Sequence, residues 1–356
     1  MGVDISVILP CRNEEKTISK CITQINAVFL KEKIRGEIIV SDSSSDSSAK
    51  IAKKHGATVV KHSSIGYGIA ILKGIDNAKG TLIAIGDADG TYDFRELPLL
   101  IDKINNQGYD LVIGNRLKGT IKKGAMPWHH KYVGNPILSF LLNTFFSTNV
   151  SDAHSGFRVI TKKSLDKLKL RTTGMEFASE MIIKAAKLRL KITQVPITYS
   201  KRIGKSKLNS ISDGWRHLRF MLMFSPTYLY VIPGTISMII GVLIHISHIS
   251  GFINLSNFLL TGSFLTILGF QIITLGFYAR IYATHSGFET HDEFINLISR
   301  QITLEKGLII GASVILYSLA LILFNAPQII TFTTLVIGFQ TLFSAFFISM
   351  MVVEKQ

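Results

Sequence analysis

Over roughly its first 200 residues the chain alternates short aliphatic and β-branched runs with stretches of helical period. The runs are Ile5–Leu9, Glu37–Val40, Thr58–Val60, Leu82–Ile85 and Leu111–Ile113, and amphipathic segments follow most of them. Such alternation predicts a mostly parallel sheet covered by helices. The pattern then changes. No Asp, Glu, Lys or Arg falls between Arg219 and Arg280, nor between Lys306 and Glu354. A bilayer core takes about 20 helical residues, so each window is long enough for two spans. Polar breaks after His245 and at Asn325-Ala-Pro predict four helices. They fall near Tyr228–Ile246, Asn257–Tyr278, Gly307–Phe324 and Ile329–Met351, paired as two hairpins.

Composition sharpens this. Of 356 residues 47% are hydrophobic and 18% charged, and mean hydropathy is +0.34. Soluble domains carry about a quarter charged residues, which argues against a simple soluble globule. Lys+Arg 39 against Asp+Glu 24 gives a formal charge of +15, suited to nucleic acid, nucleotides or anionic lipid. No basic strand interleaved with aromatics and no recognition-helix motif appears, so nucleic acid is not expected as a partner. Two cysteines, Cys11 and Cys21, make neither a disulfide scaffold nor a zinc site, as expected in a reducing compartment. The apolar stretch Ile5–Pro10 is too short for a cleavable signal and is followed by Arg12, Glu14 and Glu15.

Basic residues set the expected orientation. The hairpin tips hold no Lys or Arg. The connector holds Arg280, Arg300 and Lys306, and the segment before the first span holds Arg202, Lys205, Lys207, Arg216 and Arg219. The positive-inside rule then places the N-terminal domain, the connector and both termini in the cytoplasm. The expected divisions are an α/β domain over 1–205, a juxtamembrane segment 206–227, a first hairpin 228–278, a connector 279–306 and a second hairpin 307–351.

In parallel sheets ligands sit beyond the carboxyl ends of the strands. Polar clusters fall there: Arg12-Asn-Glu-Glu15 after the first run, Asp42-Ser-Ser-Ser-Asp46 after the second, Asp87-Ala-Asp89 after the fourth. Two carboxylates on a turn closed by Gly90 suit a divalent cation that bridges phosphates, because such an ion needs oxygen ligands and open positions. Gly66-Tyr-Gly, with Lys73 beyond, is open to two readings. It is a helix start that cradles a phosphate with Lys73 as nucleotide-sugar ligand, or a loop entering a packed helix. Glu176 and Glu180 are equally open between capping and a site role.

At these residues the chain resembles the family 2 glycosyltransferases of the GT-A fold, and within them the polyprenyl-phosphate sugar synthases. Dolichyl-phosphate mannose synthase and the undecaprenyl-phosphate glucosyltransferases belong to that group. Val7-Ile-Leu-Pro-Cys-Arg-Asn-Glu-Glu15 is similar to the family's strand-one start, Asp42–Asp46 to its D-G-S-T-D turn, and Asp87-Ala-Asp89 to its D-x-D. Asp152-Ala-His-Ser-Gly-Phe-Arg158 is similar to D-x-x-S-G-F-R, and Arg202-Ile-Gly-Lys-Ser-Lys-Leu208 to R-x-G-x-S-K-L. Ser41 and Ser43 stand where many members have a second aspartate and a glycine, which leaves UDP or GDP open. The Q-x-x-R-W motif of processive synthases does not occur, which implies transfer of one sugar.

The resemblance implies a Rossmann-like, mostly parallel α/β GT-A domain in the cytoplasm, followed by α-helical transmembrane hairpins of a cell or ER-type membrane. Pro10, Arg12, Glu14 and Asp42 would line the nucleotide-sugar pocket, and Asp87 and Asp89 would hold Mg²⁺ or Mn²⁺. The expected reaction moves one sugar, with inversion, from a GDP-mannose or UDP-glucose type of donor to a polyprenyl phosphate, dolichyl or undecaprenyl. Asp152 and Asp89 are the catalytic candidates, Asp152 either orienting a substrate or acting as base. Arg116, Lys131, Arg202 and Lys205 are candidates for the acceptor phosphate. His129, His130 and Lys131 flank Trp128 ahead of Ile137–Phe146, which reads as an interfacial amphipathic helix in contact with membrane lipids. Arg158 is either a ligand or the partner of a carboxylate. A hydroxyl lipid acceptor such as diacylglycerol, an inactive transferase-like scaffold, and a homo-oligomer stay open as alternatives.

The orientation is testable. Ser250→Cys is expected to react with an impermeant maleimide outside intact cells, and Asn296→Cys to be protected. The reverse labelling would refute a cytoplasmic N-terminal domain.

Overall fold

The structure, a computed structural model, describes residues 2–204, 210–251, 258–285, 303–324 and 326–353. Lys205, Lys207, Leu208, Asn257, Asn296, Arg300 and Asn325 lie outside the described residues. The chain forms two units, Met1–Met221 and Leu222–Gln356.

The first unit is built on seven strands: β1 (Ile5–Cys11), β2 (Gly36–Asp42), β3 (Thr58–Lys61), β4 (Leu82–Ile85), β5 (Leu111–Ile121), β6 (Arg158–Thr161) and β7 (Ile192–Tyr199). Their order is β3-β2-β1-β4-β6-β5-β7. All neighbours are parallel except those of β6, which runs antiparallel to β4 and to β5. Val7, Ile8, Leu9, Ile39, Val40, Ile83 and Ala84 are wholly buried, the continuous apolar run of strands covered on both faces. Helix α1 (Ile18–Lys31) turns Ile18, Cys21, Ile22, Ile25, Val28 and Phe29 inward, a 3-and-4 spacing that makes one apolar stripe. Successive strands diverge to either side of the β1–β4 pair, which opens a crevice at their carboxyl ends. The five expected runs are all strands. Strands β6 and β7 were not expected: β6 begins with Arg158 and runs directly into the helix that starts at Lys162, and β7 is a half-buried edge strand that carries Pro196.

Further helices are α2 (Ser48–Lys54), α3 (Tyr67–Ile75), α4 (Leu97–Asn105), α5 (Asn135–Phe146), α6 (Lys162–Leu168), α7 (Phe177–Lys187) and α8 (Ser210–Met223). The start of α3 resolves the Gly-Tyr-Gly ambiguity. The amide of Gly68 donates to the Gly174 carbonyl and that of Ile69 to the Thr173 carbonyl. A Cβ on Gly68 would fall inside contact distance of the Thr172 carbonyl, and one on Gly66 of the Thr173 carbonyl. These glycines admit a neighbouring backbone, which favours the packed-helix reading, and the amides of Gly68 and Ile69 are taken by that backbone.

In the second unit, four helices are long and apolar enough to cross a membrane: Thr227–Ile249, Leu259–Thr284, Leu304–Leu323 and Gln328–Met351. They are carried by α9 (Ile232–Ile249, after a π-helical turn), α10 (Leu259–His285), α11 (Leu304–Leu323) and α12 (Gln328–Val353). Helix α9 packs on α10 and α11 on α12, which makes the two hairpins. Small residues set the approach: a Cβ on Gly241 would lie 2.5 Å from the Gly262 carbonyl, and one on Gly311 2.9 Å from the Leu342 amide. Gln340 donates to Gln271 at 2.8 Å and Tyr278 to Ser344 at 2.7 Å, joining α10 to α12 through polar side chains.

Gly68→Ala is expected to destabilise the full chain by about 1–3 kcal/mol, the usual cost of overpacking. Thermal unfolding checks it, with Lys73→Ala on the exposed side of α3 as a control that leaves the midpoint unchanged.

Candidate active site

The ends of β1 and β2 are laced together by the serine-rich turn. The Asn13 amide donates to Ser44 Oγ and the Ser45 amide to Asn13 Oδ1, with Asn13 in the left-handed region at φ 55°. The Glu14 amide donates to Ser48 Oγ at 2.8 Å. Asp46 accepts from the amides of Ser48 and Glu15, so it caps the turn. Two further carboxylates of this region are enclosed. Asp42 is wholly buried, and neither of its oxygens has a partner in the protein. Glu14 is 7% exposed.

The strand-four turn lies beside them. Thr17 Oγ1 donates to the Ala88 carbonyl and anchors the turn on α1. Gly90 at φ 77° closes it, and Asp89 Oδ1 accepts from the Thr91 amide and hydroxyl at 3.0 and 2.6 Å. Asp87 is held by the Tyr67 phenol, and its Oδ1 is buried without a partner. Gly156 lies against it; a Cβ there would sit 2.9 Å from Asp87 Oδ2. Burial, with the nearby Asp89 charge adding, pushes the Asp87 carboxyl well above the usual carboxylate range. A hard cation needs such oxygens, and the orphaned Oδ1 of Asp87 beside Asp89 fits one. Among the described residues no three Asp, Glu, His or Cys side chains converge, so Asp87 and Asp89 would leave most coordination positions open.

Two arginines answer this negative charge. The end of β7 is pinned to the turn: the Ser200 amide donates to the Thr91 carbonyl, and Glu96 accepts from the amide and hydroxyl of Thr198. Arg202 follows, with Nη2 2.5 Å from Glu14 Oε1 and Nη1 3.2 Å from Asp89 Oδ2. The second is Arg116 in β5. Its amide and Nε donate to Asp152 Oδ2 at 2.9 and 2.8 Å, and its Nη2 to Asp152 Oδ1 at 2.8 Å. Asp152 is fully buried, Arg116 is 8% exposed, and the guanidinium lies over the Tyr199 ring.

Residues 6–169 match the glycosyl transferase family 2 model, and residues 277–328 match the C-terminal transmembrane region of that family. A hexosyltransferase of low-salt glycan biosynthesis from Haloferax volcanii is 40% identical over 343 residues, covering 95% of this chain and 82% of that protein. The chain belongs to glycosyltransferase family 2. A dolichyl-phosphate hexose transferase of the same organism is 31% identical over 214 residues, 59% of this chain and 89% of that one. Among solved structures, glucosyl-3-phosphoglycerate synthase from Mycobacterium tuberculosis, crystallised with Mn²⁺, UDP and its product, superimposes with a TM-score of 0.51. It is 23% identical, covering 63% of this chain and 80% of that chain. Mannosyl-3-phosphoglycerate synthase from Rubrobacter xylanophilus gives 0.50 at 21% identity, over 62% and 73%. These likenesses show that the first unit has the GT-A fold.

Several candidates in this family 2 chain sit otherwise than their spacing suggested. Lys73 is exposed in the last turn of α3, about 9 Å along the helix from Tyr67, the residue that touches Asp87. Among the described residues it is not brought into contact with the carboxylates of this cluster. Arg202 and Arg116, grouped by sequence with the acceptor, are engaged by Glu14 and Asp89 and by Asp152. Lys131 lies 5.0 Å over the Tyr132 ring, and Lys205 lies outside the described residues. Pro10 is half-buried in β1, paired with Ser41, and Arg12 is exposed on the turn. The Arg158 guanidinium donates to the carbonyls of Ser155, Ala178 and Ala153, and among the described residues it has no ion pair with a carboxylate. Glu180 accepts from the amides of Arg171 and Thr172 and pairs with Lys184 at 2.7 Å, so it holds the loop that faces Gly66 and Gly68. Glu176 keeps a buried Oε2 with no partner. Sequence reasoning missed Tyr67 and Tyr92, whose hydroxyls hold Asp87 and the Gly156 amide. Tyr92 follows the D-x-D by three residues, a signal hidden among core aromatics.

Arg116→Met is expected to cost about 3–5 kcal/mol, because it leaves Asp152 buried without compensation. Chemical denaturation of the full chain in detergent checks it, and the Arg116→Met/Asp152→Leu double variant should recover much of the loss.

Proposed function

We propose that this chain is a membrane-bound, metal-dependent, inverting hexosyltransferase that moves one hexose from a nucleotide-sugar to a polyprenyl phosphate. The observation that carries the reading is the group of orphaned oxygens on Asp42 and Asp87 at the crevice where the strand order diverges. Buried acceptors without partners are costly, and a ligand with hydroxyls, amides and a cation satisfies them. The named activities of the two Haloferax relatives, a hexosyltransferase and a dolichyl-phosphate hexose transferase, support the substrate classes.

Asp42 is assigned to the nucleoside, with Pro10, Arg12 and Glu14 around it. Asp87 and Asp89 are assigned to the cation, and Glu176 to hydroxyls of the hexose. When bound there, Mg²⁺ or Mn²⁺ supplies positive charge to the leaving nucleoside diphosphate, so no strong general acid is needed. Arg202 then balances whatever negative charge lies between Glu14 and Asp89, donor or acceptor phosphate alike. Asp152 serves as the anchor of Arg116. Both its oxygens already accept from that guanidinium, and this supports an acceptor that needs no base. A lipid phosphate is such an acceptor: it is anionic at neutral pH and can attack without losing a proton.

The exposed Trp128 just before the π-helical turn His130–Gly134, Tyr132 and Val133 on that turn, and Ile137 and Phe140 on α5 support contact of this face with membrane lipid. Residues 206–227 are assigned as the juxtamembrane segment between the α/β domain and the hairpins, with the active site cytoplasmic.

Purified protein is to be incubated with a panel of UDP- and GDP-sugars, dolichyl or undecaprenyl phosphate and Mn²⁺, and the glycolipid weighed by mass spectrometry. Asp89→Ala is expected to lower transfer by about 10²–10³, with the fold retained by circular dichroism. Full turnover in excess chelator refutes the metal assignment. Because a cation takes the ionised form of Asp87, raised to about 7, its binding displaces a proton. Calorimetric affinity for Mn²⁺ with UDP or GDP should therefore fall as pH drops below about 7, and Asp87→Asn should flatten that dependence.

A further inference from the structure

Helix α7 carries a polar chain that the carboxylate cluster does not use. His154 Nε2 lies 3.3 Å from Ser179 Oγ, and Ser179 Oγ lies 2.8 Å from His217 Nδ1. The two imidazoles meet edge to face at 4.3 Å. Ser179 is wholly buried, His217 is 6% exposed, and His154 Nδ1 is buried with no partner. A hydroxyl has one proton and two lone pairs, so Ser179 either donates to one ring and accepts from the other or accepts from both. Ser179 therefore couples the tautomers of His217 and His154. Burial lowers the pKa of both rings, His217 to about 4, and the charges that face them are cationic: Arg158 for both, Arg116 for His154. Both imidazoles stay neutral, and the chain keeps a defined proton count.

What this chain grips is the loop Asp152–Gly156. Arg158 ties its Ala153 and Ser155 carbonyls to that of Ala178 in α7, and the next residue, Ser179, holds His154. One end of the loop is the Asp152–Arg116 pair, and the other is Gly156, in contact with the Asp87 carboxylate. The far end of the chain is α8, whose His217 and Met221 are buried while Trp215 and Met223 are 57% and 63% exposed. Basic Arg216 and Arg219 stand on the same helix, and the first candidate span begins at Thr227. An exposed aromatic with arginines suits a lipid surface.

We propose that His217, through Ser179 and His154, is a positioning residue by which the seating of helix α8 at a lipid surface sets the Asp152–Gly156 loop against Asp87. The functional side of this rests on the transferase reading above; the effect on the loop does not.

The full-length protein in lipid nanodiscs is the object of the test, with variants Ser179→Ala, His217→Leu and His217→Asn. Leucine fills the space without a hydrogen bond, and the asparagine amide reaches about where Nδ1 does. Hydrogen exchange by mass spectrometry reads the loop, and transfer kinetics from the active donor of the panel read its consequence. Ser179→Ala and His217→Leu are expected to speed exchange across residues 151–157 and to lower kcat about three- to tenfold, the worth of one net hydrogen bond. The donor KM should stay within about twofold, and His217→Asn should restore both readouts. Unchanged exchange in Ser179→Ala and His217→Leu overturns the proposal, as does a His217→Asn variant no better than the leucine. If the unaltered protein transfers no sugar from any donor in the panel, the transferase reading fails, and hydrogen exchange alone decides the coupling.

Discussion

The constraint on which the first unit depends is the crowding of carboxylates at one end of its sheet. Glu14, Asp42, Asp87, Asp89 and Asp152 are all wholly or largely enclosed there, and like charges in a region of low dielectric cannot all ionise unsupported. Three devices meet the cost. Asp152 is matched by a buried guanidinium in bidentate geometry. Glu14 and Asp89 share Arg202. Asp87 takes a phenol and a raised pKa, and Asp42 takes nothing. The gradient from fully compensated to uncompensated marks where a ligand's own charge and donors are needed.

Holding those groups demands a rigid frame, and the frame is made of backbone contacts more than of side-chain pairs. The serine-rich turn is laced to the turn after β1, Thr17 anchors Ala88, and the end of β7 is bonded to Thr91. One turn of α7 does the same for the opposite wall. Its carbonyl at 178, hydroxyl at 179 and carboxylate at 180 each hold a different segment. Glycines at 66, 68 and 156 allow these segments to approach more closely than a side chain would permit.

Much of this was legible before the fold was known. Short aliphatic and β-branched runs bounded by polar clusters located five strands, and uncharged windows located four apolar helices, because burial against sheet or lipid imposes a local pattern on the residues themselves. Asp87-Ala-Asp89 stood out because a strand end and a glycine turn fix where both carboxylates go. Strands β6 and β7 were hidden, one running without a break into the polar start of α6 and the other exposed along an edge. The reading of Lys73 stayed open because a lysine on a helix after glycines looks the same at either end of that helix.

What the sequence by itself determined is the class of fold, the two hydrophobic hairpins and the acidic strand ends, since each follows from neighbours a few positions apart. Only the tertiary structure decided the partners. Arg116 meets Asp152 across 36 positions, Arg202 meets Glu14 across 188, and His217 meets Ser179 across 38. A basic residue awaiting a phosphate and one paired with a carboxylate have the same local signature. Which of the two it is depends on how the sheet order carries distant loops to one edge, and that order is set by packing of the whole domain rather than by any segment within it.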